Sequence, residues 1–436
     1  MEIFVLRSRV FAMIRLLQIV RNAVAVGLLL VSGCEIEAAT FEDVNKAFGL
    51  ALFVDEDLWD ERDADVANRL NWPRESETPR DASYRLYAAD DVRVLDARPY
   101  SLALYGEGGL VSRLSLVFAN KGDFEPAGGA QFGEGNRLDA RQRKAVVREL
   151  GVKIKEDADS IVRALSGVLG EPRRTSFGQG RETREQVLRW DWSGHSFLLA
   201  APDGDYVALR VVPTDVADGV RKPRITDKEL RSDLANRVER RPHGDVVIKT
   251  IPMVNQGPKG FCVPATWERA MRYMGIPADM YVLAMAGDTG LGRGTYLGAI
   301  IAGARETITR AGRRLENTQG KVSMPSIVPQ IDRGIPIMWA MFVDEKLNLE
   351  LVERSQKRLA MTDPISWSES LKECRKAAKS LRPRRANGHM CMIIGYNKTT
   401  GEIAISDSWG DDFAERWICL EEAEALSQRT FMTIQL

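Results

Sequence analysis

The sequence predicts an α+β protein, and three observations carry that assignment. Two apolar patterns read as hairpins: residues 101–105 with 111–118 around Gly106-Glu107-Gly108-Gly109, and 197–200 with 206–212 around Pro202-Asp203-Gly204-Asp205. A well-marked helix begins near Cys262. Close to the C-terminus, N-G-H-M-C-M-I-I-G-Y and E-I-A-I-S-D-S-W-G lie on either side of a short Asn/Gly turn, a third hairpin. Antiparallel hairpins with helices between them, without strict alternation of strand and helix, are the α+β pattern.

Taken in order, Phe41, Val44 and Phe48 recur at helical spacing behind Thr40, a suitable N-cap, and predict a first helix. A polar stretch, 73–81, with Pro73 and Pro79, interrupts the pattern. Between the first two hairpins lie helical stretches over 140–150 and 157–169, the second closed by Gly170 and Pro172. Residues 216–249 read as a charged linker with one exposed helix. After Cys262, Pro264 suits a first turn, and Trp267, Ala270, Met271 and Met274 form an apolar face. Gly275 and Pro277 end that helix. Residues 334–343 read as a buried strand, followed by charged helical stretches over 347–359 and 366–381. The expected divisions are a signal segment (1–33), an N-terminal α+β domain (34–215), the linker (216–249) and a C-terminal domain (250–436).

Composition narrows the function. Lys+Arg and Asp+Glu both number 61, so nothing advertises a nucleic acid or polyanionic partner. The five cysteines, Cys34, Cys262, Cys374, Cys391 and Cys419, contain no C-x-x-C pair, and three histidines are too few for a multi-histidine metal site. No metal or cofactor is implied. Arg7, Arg9, Arg15 and Arg21 precede an apolar run, 23–31, too short to span a bilayer and ending V-S-G-C. This ending resembles the bacterial lipoprotein signal, which implies lipidation at Cys34 and an exported, membrane-anchored protein. An ordinary signal cleaved near Ala38-Ala39 is the alternative. Either places the chain where disulfides are permitted.

Cys262 is the residue around which the chemistry turns. Most cysteines are small buried hydrophobes, but this one sits at a helix mouth behind Q-G-P-K-G-F. There the helix dipole and free N–H groups favour a thiolate. Three histidines could serve as its base. His195, in W-D-W-S-G-H, reads as a packed residue among aromatics, and His243, in R-R-P-H-G, lies in the charged segment. His389 opens the third hairpin. If Tyr396 pairs with Glu402, His389 falls opposite Trp409, one diagonal step from Asp407; a slip in the loop puts it directly opposite Asp407. Both registers suit a carboxylate that orients a histidine. Weaker candidates are the Gly-rich loop 287–295, which reads as a flexible loop, Cys391 on the strand face of His389, and Arg382, Arg384 and Arg385, which read as solvated.

A glutamine six residues before the cysteine, then histidine, then a polar residue opening x-S-W-G resembles the papain-like cysteine peptidases. The resemblance covers 250–436 and implies a helix bearing the Cys packed on an antiparallel sheet bearing His and Asp. It implies Cys262 as nucleophile, His389 as general base and then acid, and Asp407 as its orienter. Gln256 would be an oxyanion donor beside the Cys262 backbone N–H, and Trp409 a shield over the His–Asp contact. Two departures matter: Asp407 stands where papain has asparagine, and V-P-A-T follows the cysteine. C-V-P-A-T with an aspartate is more similar to the branch related to bacteriocin-processing (double-glycine) peptidases. The implied function is cleavage of peptide or isopeptide bonds in a peptide or protein substrate through a thioester. A transglutaminase- or amidase-like acyl transferase, or a non-catalytic binding protein on the same fold, are the alternatives. For 34–215, substrate recruitment, a spacer role and an inhibitory pro-segment remain open.

Overall fold

The N-terminal hairpins join a single antiparallel sheet. In the computed structural model its strands are β1 (Arg74–Glu77), β2 (Asp81–Tyr87), β3 (Ser101–Glu107), β4 (Leu110–Asn120), β5 (Arg173–Phe177), β6 (Glu185–Trp192), β7 (His195–Ala200) and β8 (Tyr206–Pro213). They run in the order β1-β2-β3-β4-β8-β7-β6-β5. The structure describes residues 39–124, 140–178, 184–220, 227–257, 260–290, 294–384 and 387–436. The expected signal segment, Cys34 and Arg385 lie outside these, as does part of the 287–295 loop. Among the described residues no helix is long and apolar enough to cross a membrane.

Three local expectations are corrected. The two helical stretches are one helix, Ala140–Leu169. Val146, Leu150, Ile154, Ile161 and Leu165 form its buried stripe, while Gly151 faces solvent. A mid-helix glycine costs about 1 kcal/mol, less than burial of one such stripe residue returns, so the helix runs through. The polar stretch 73–81 contributes the edge strand β1 and the start of β2, turned by Thr78, whose hydroxyl accepts from the N–H groups of Arg80 and Asp81. The segment read as a linker holds the helix Asp227–Asn236, with Leu230 and Leu234 buried, and two strands, β9 (Val238–Arg240) and β10 (Asp245–Ile248). Val246, Val247 and Ile248 are an apolar run, and β10 buries them by pairing with β9 and with the His389 strand.

The second sheet comprises β9, β10, β11 (Arg314–Gln319), β12 (Ile337–Phe342), β13 (Gly388–Asn397), β14 (Glu402–Ser406), β15 (Arg416–Cys419) and β16 (Ser427–Gln435). Its order is β11-β16-β12-β13-β10-β9, and β14 joins β13 to β15. The chain is therefore a mixture of helix and antiparallel sheet, α+β, consistent with a papain-like peptidase domain.

Both sheets bear on the helix that starts at Cys262. Every residue of Cys262–Tyr273 is buried, including Glu268, Arg269 and Arg272. One face, with Trp267, Ala270 and Met271, belongs to the core over the second sheet. The opposite side meets the first sheet: Glu268 accepts from the Tyr105 hydroxyl at 3.1 Å, and Arg272 donates to Asp81 at 2.5 Å and to the Ser83 hydroxyl at 3.2 Å. Buried charges are tolerated because each finds partners. An amphipathic helix thus acquires two covered faces.

Candidate active site

Two elements bring the predicted residues together. The helix begins at Cys262, and no side chain of its N-cap residue, Phe261, caps the first turn. Phe261, 2% exposed, anchors the entry by packing on Tyr281 with ring centroids 5.2 Å apart. Its ring lies over Gly122, where an added Cβ would stand 2.0 Å from Phe261 Cζ, so only glycine fits there. Four residues on, the Thr266 hydroxyl donates to the Met390 carbonyl at 3.1 Å and fastens the helix to the strand beside His389.

The second element is the β13–β14 hairpin. Near the turn, Tyr396 pairs with Ile403, one step off the expected register; an irregularity between Ile393 and Gly395 then shifts the ladder to Met392 opposite Ser406. Beyond that point the strands follow the diagonal arrangement. His389 Nε2 lies 2.7 Å from Asp407 Oδ1. The bulge, absent from any simple alternation pattern, compensates the turn.

The other ring nitrogen, Nδ1, is not used by Asp407, and the imidazole and the Cys262 thiol lie close enough to shift each other's ionisation. Burial pushes the Cys262 thiol up. The bond and charge of His389, with backbone hydrogen bonds from Met390 and Val263, outweigh it, so the thiol lies below its ordinary value. Burial also works against a charged His389, yet the bond to Asp407 and then the thiol raise it to about 9. Asp407, 1% exposed, is held below the usual carboxylate range: burial opposes this, but His389 and Arg416 win. The three groups favour thiolate, imidazolium and carboxylate together, a coupled set whose protons belong to the whole.

Arg416 was not anticipated. Its Nη2 donates to Asp407 Oδ2 at 2.6 Å, and its Nη1 donates to Asn348 Oδ1 at 2.8 Å. A carboxylate in an apolar hairpin needs a cation besides the imidazole, and that requirement was the one available signal. Trp409 stacks on the His389 ring at 4.5 Å and meets Phe413 edge-on at 5.4 Å. A pocket lined by Met341, Leu347, Asn348, Trp409 and Arg416 borders the Asp407 side of the ring.

Gln256 lies on a strap, 249–257, that crosses from β10 to the helix. Its backbone N–H donates to the Ser408 carbonyl at 2.9 Å, and its Oε1 accepts from the Ser408 hydroxyl at 2.8 Å. The amide oxygen is thereby occupied, and among the described residues its NH2 has no hydrogen-bond partner. Arg269, two turns below Cys262, donates to the Pro252 carbonyl at 2.9 Å and to the Ser406 hydroxyl at 2.5 Å. It ties helix, strap and hairpin at one point. Ser408 and Arg269 were also missed, since neither spacing nor residue type marks them.

Of the remaining candidates, Cys391 is fully buried with its thiol pushed well up, and its Sγ contacts Met341 Sδ at 3.6 Å. His195 is buried, stacked on Trp59 and Trp192. His243 is exposed. Arg382 is exposed and bonds only local carbonyls among the contacts described. Cys262, Cys374, Cys391 and Cys419 are free thiols.

Residues 248–429 match the model of the Peptidase_C39 like family. This supports a papain-like cysteine peptidase relationship for that part of the chain, and it suggests a cysteine peptidase. No curated protein matches the chain. The matched span contains Cys262, His389, Asp407, Gln256 and Trp409.

Proposed function

We propose that the protein is a cysteine peptidase that cleaves a peptide or isopeptide bond through a thioester, using Cys262, His389 and Asp407 with Gln256. The observation that carries this reading is the His389–Asp407 hydrogen bond at 2.7 Å, with the imidazole electrostatically coupled to a cysteine that opens a helix. The thiolate attacks the scissile carbonyl carbon, and the oxygen becomes an oxyanion. The Gln256 NH2 and an N–H at the start of the Cys262 helix receive that charge. The His389 imidazolium gives its proton to the departing amine as the C–N bond breaks. Water then attacks the thioester, passing a proton to His389, and the C–S bond breaks to release a carboxylate and restore the thiolate. Asp407 holds the imidazole in the required tautomer throughout.

C-V-P-A-T and the aspartate favour the branch resembling bacteriocin-processing peptidases, and the N-terminal signal favours an extracytoplasmic enzyme anchored through Cys34. The test is digestion of a peptide library, with and without an added amine, followed by mass spectrometry. Hydrolysed products that vanish with Cys262→Ala are expected. Amine adducts without hydrolysis would assign acyl transfer instead.

A further inference from the structure

The N-terminal sheet grips the strap that carries Gln256. The Asn255 backbone N–H donates to Glu75 Oε1 at 2.9 Å, and the Asn255 carbonyl accepts from the Tyr87 hydroxyl at 2.5 Å. Two residues earlier, the Met253 N–H donates to the Ser76 hydroxyl at 3.0 Å. Both backbone groups of the residue before Gln256 are thus held by side chains of β1 and β2. The Glu75 side chain is 3% exposed and is fixed by Arg85 at 2.8 Å and by the Ser83 hydroxyl at 3.1 Å. The Tyr87 ring packs against Gly257, whose φ of +71° favours glycine and where an added Cβ would stand a tight 3.0 Å from the ring.

These contacts are specific in direction. Glu75 accepts, Tyr87 donates, and Ser408 completes the bracket from the other side through the backbone and amide of Gln256. A side-chain amide can stabilise a developing oxyanion only where its donor is already aimed, and a misplacement of about 1 Å can cost about 100-fold.

We propose that Glu75 and Tyr87 are positioning residues for the oxyanion donor, so that the N-terminal sheet is a working half of the active site. This rests on the reading of Gln256 given above. Neither residue touches the reacting atoms; each acts through the Asn255–Gln256 backbone. The sheet has no comparable contact with the Cys262 thiol or His389 in the hydrogen bonds described, so the two functions separate: oxyanion stabilisation depends on the grip, thiolate formation does not.

The test uses the full chain with Tyr87→Phe, Glu75→Ala and Glu75→Gln. Arg80→Gln is the control, because it removes an ion pair from the turn between β1 and β2 to Asp233, neither residue being in a hydrogen bond described for 252–257. Three quantities are read: kcat and KM on a cleaved peptide, the rate and pH profile of Cys262 alkylation by iodoacetamide, and backbone hydrogen exchange over 252–257. Tyr87→Phe and Glu75→Ala should lower kcat about tenfold or more, within the about 100–1,000-fold ceiling for losing a donor outright. KM and alkylation should change less than about twofold, and Glu75→Gln, which keeps an acceptor, should recover part of the loss. Exchange over the strap should accelerate in the two damaging variants and not in Arg80→Gln. Unchanged kcat in Tyr87→Phe, or a parallel fall of kcat and alkylation, would overturn the proposal. If the wild type cleaves no peptide, the function assigned above fails, and exchange alone decides: unchanged protection in Tyr87→Phe and Glu75→Ala removes the grip as well.

Discussion

Gln256 and Ser408 are tied twice, backbone to backbone at 2.9 Å and hydroxyl to amide oxygen at 2.8 Å. The strap before the cysteine and the loop after Asp407 are therefore one unit, and the orientation of the Gln256 amide is set by a residue next to the carboxylate. Gln256→Ala should cut kcat about 100–1,000-fold. Gln256→Glu should not rescue it, because an ionised carboxylate offers only acceptors. Ser408→Ala keeps the backbone bond and frees the amide to rotate, so a smaller loss is expected. Steady-state kinetics on a cleaved peptide checks all three.

Asp407 depends on Arg416. Arg416→Met leaves a buried carboxylate with one partner, and loss of one member of such a pair costs about 3–5 kcal/mol. A lowered urea midpoint is expected. Asp407→Asn should be milder for stability and severe for chemistry: without the carboxylate charge, His389 drops from about 9 and the thiol of Cys262 rises.

How much of this was legible in the sequence follows from where the information resides. Cys262 and His389 could be read because each sits on a regular element, a helix start and a strand, and Asp407 because it directly follows the facing strand, β14. The register could not, because turn and bulge each move it by one residue and only their sum was guessed. Arg416 and Ser408 could not, because an arginine in a strand and a serine in a loop look the same whether buried or solvated. The hardest feature was the second covered face of the Cys262 helix. Glu268 and Arg272 lie off its apolar face, and their partners Asp81, Ser83 and Tyr105 come from β2 and β3, more than 150 residues earlier in the chain.

Thr266 gives the second half of C-V-P-A-T a mechanical role. Thr266→Val preserves shape and removes the donor to the Met390 carbonyl. The helix should loosen against the strand of His389, lowering alkylation and kcat together. Thr266→Ser should retain most of both, and comparison of the pair in one assay checks the point.

His195 provides an acid-sensitive point far from the chemistry. It is 0% exposed with Nε2 unpartnered, and burial first among its causes depresses it below 6.5. A histidine whose folded value is lowered contributes stability present above the unfolded value and lost as pH falls through it. Unfolding free energy should therefore decline below about pH 6.5, by at most about 1.4 kcal/mol per pH unit for one proton. His195→Phe should flatten that slope, as urea titrations at several pH values would show.

The central claim is that Cys262 exists as a thiolate because of His389. Its most direct measurement is the pH dependence of Cys262 alkylation by iodoacetamide, followed by intact-protein mass spectrometry in wild type and His389→Ala. In wild type, thiolate reactivity should persist below the ordinary thiol value of 9.0, with a second change near 9 as the imidazolium deprotonates. In His389→Ala a single rise near or above the ordinary value is expected, because burial then acts unopposed by the imidazolium. Superimposable profiles for the two proteins would contradict the account.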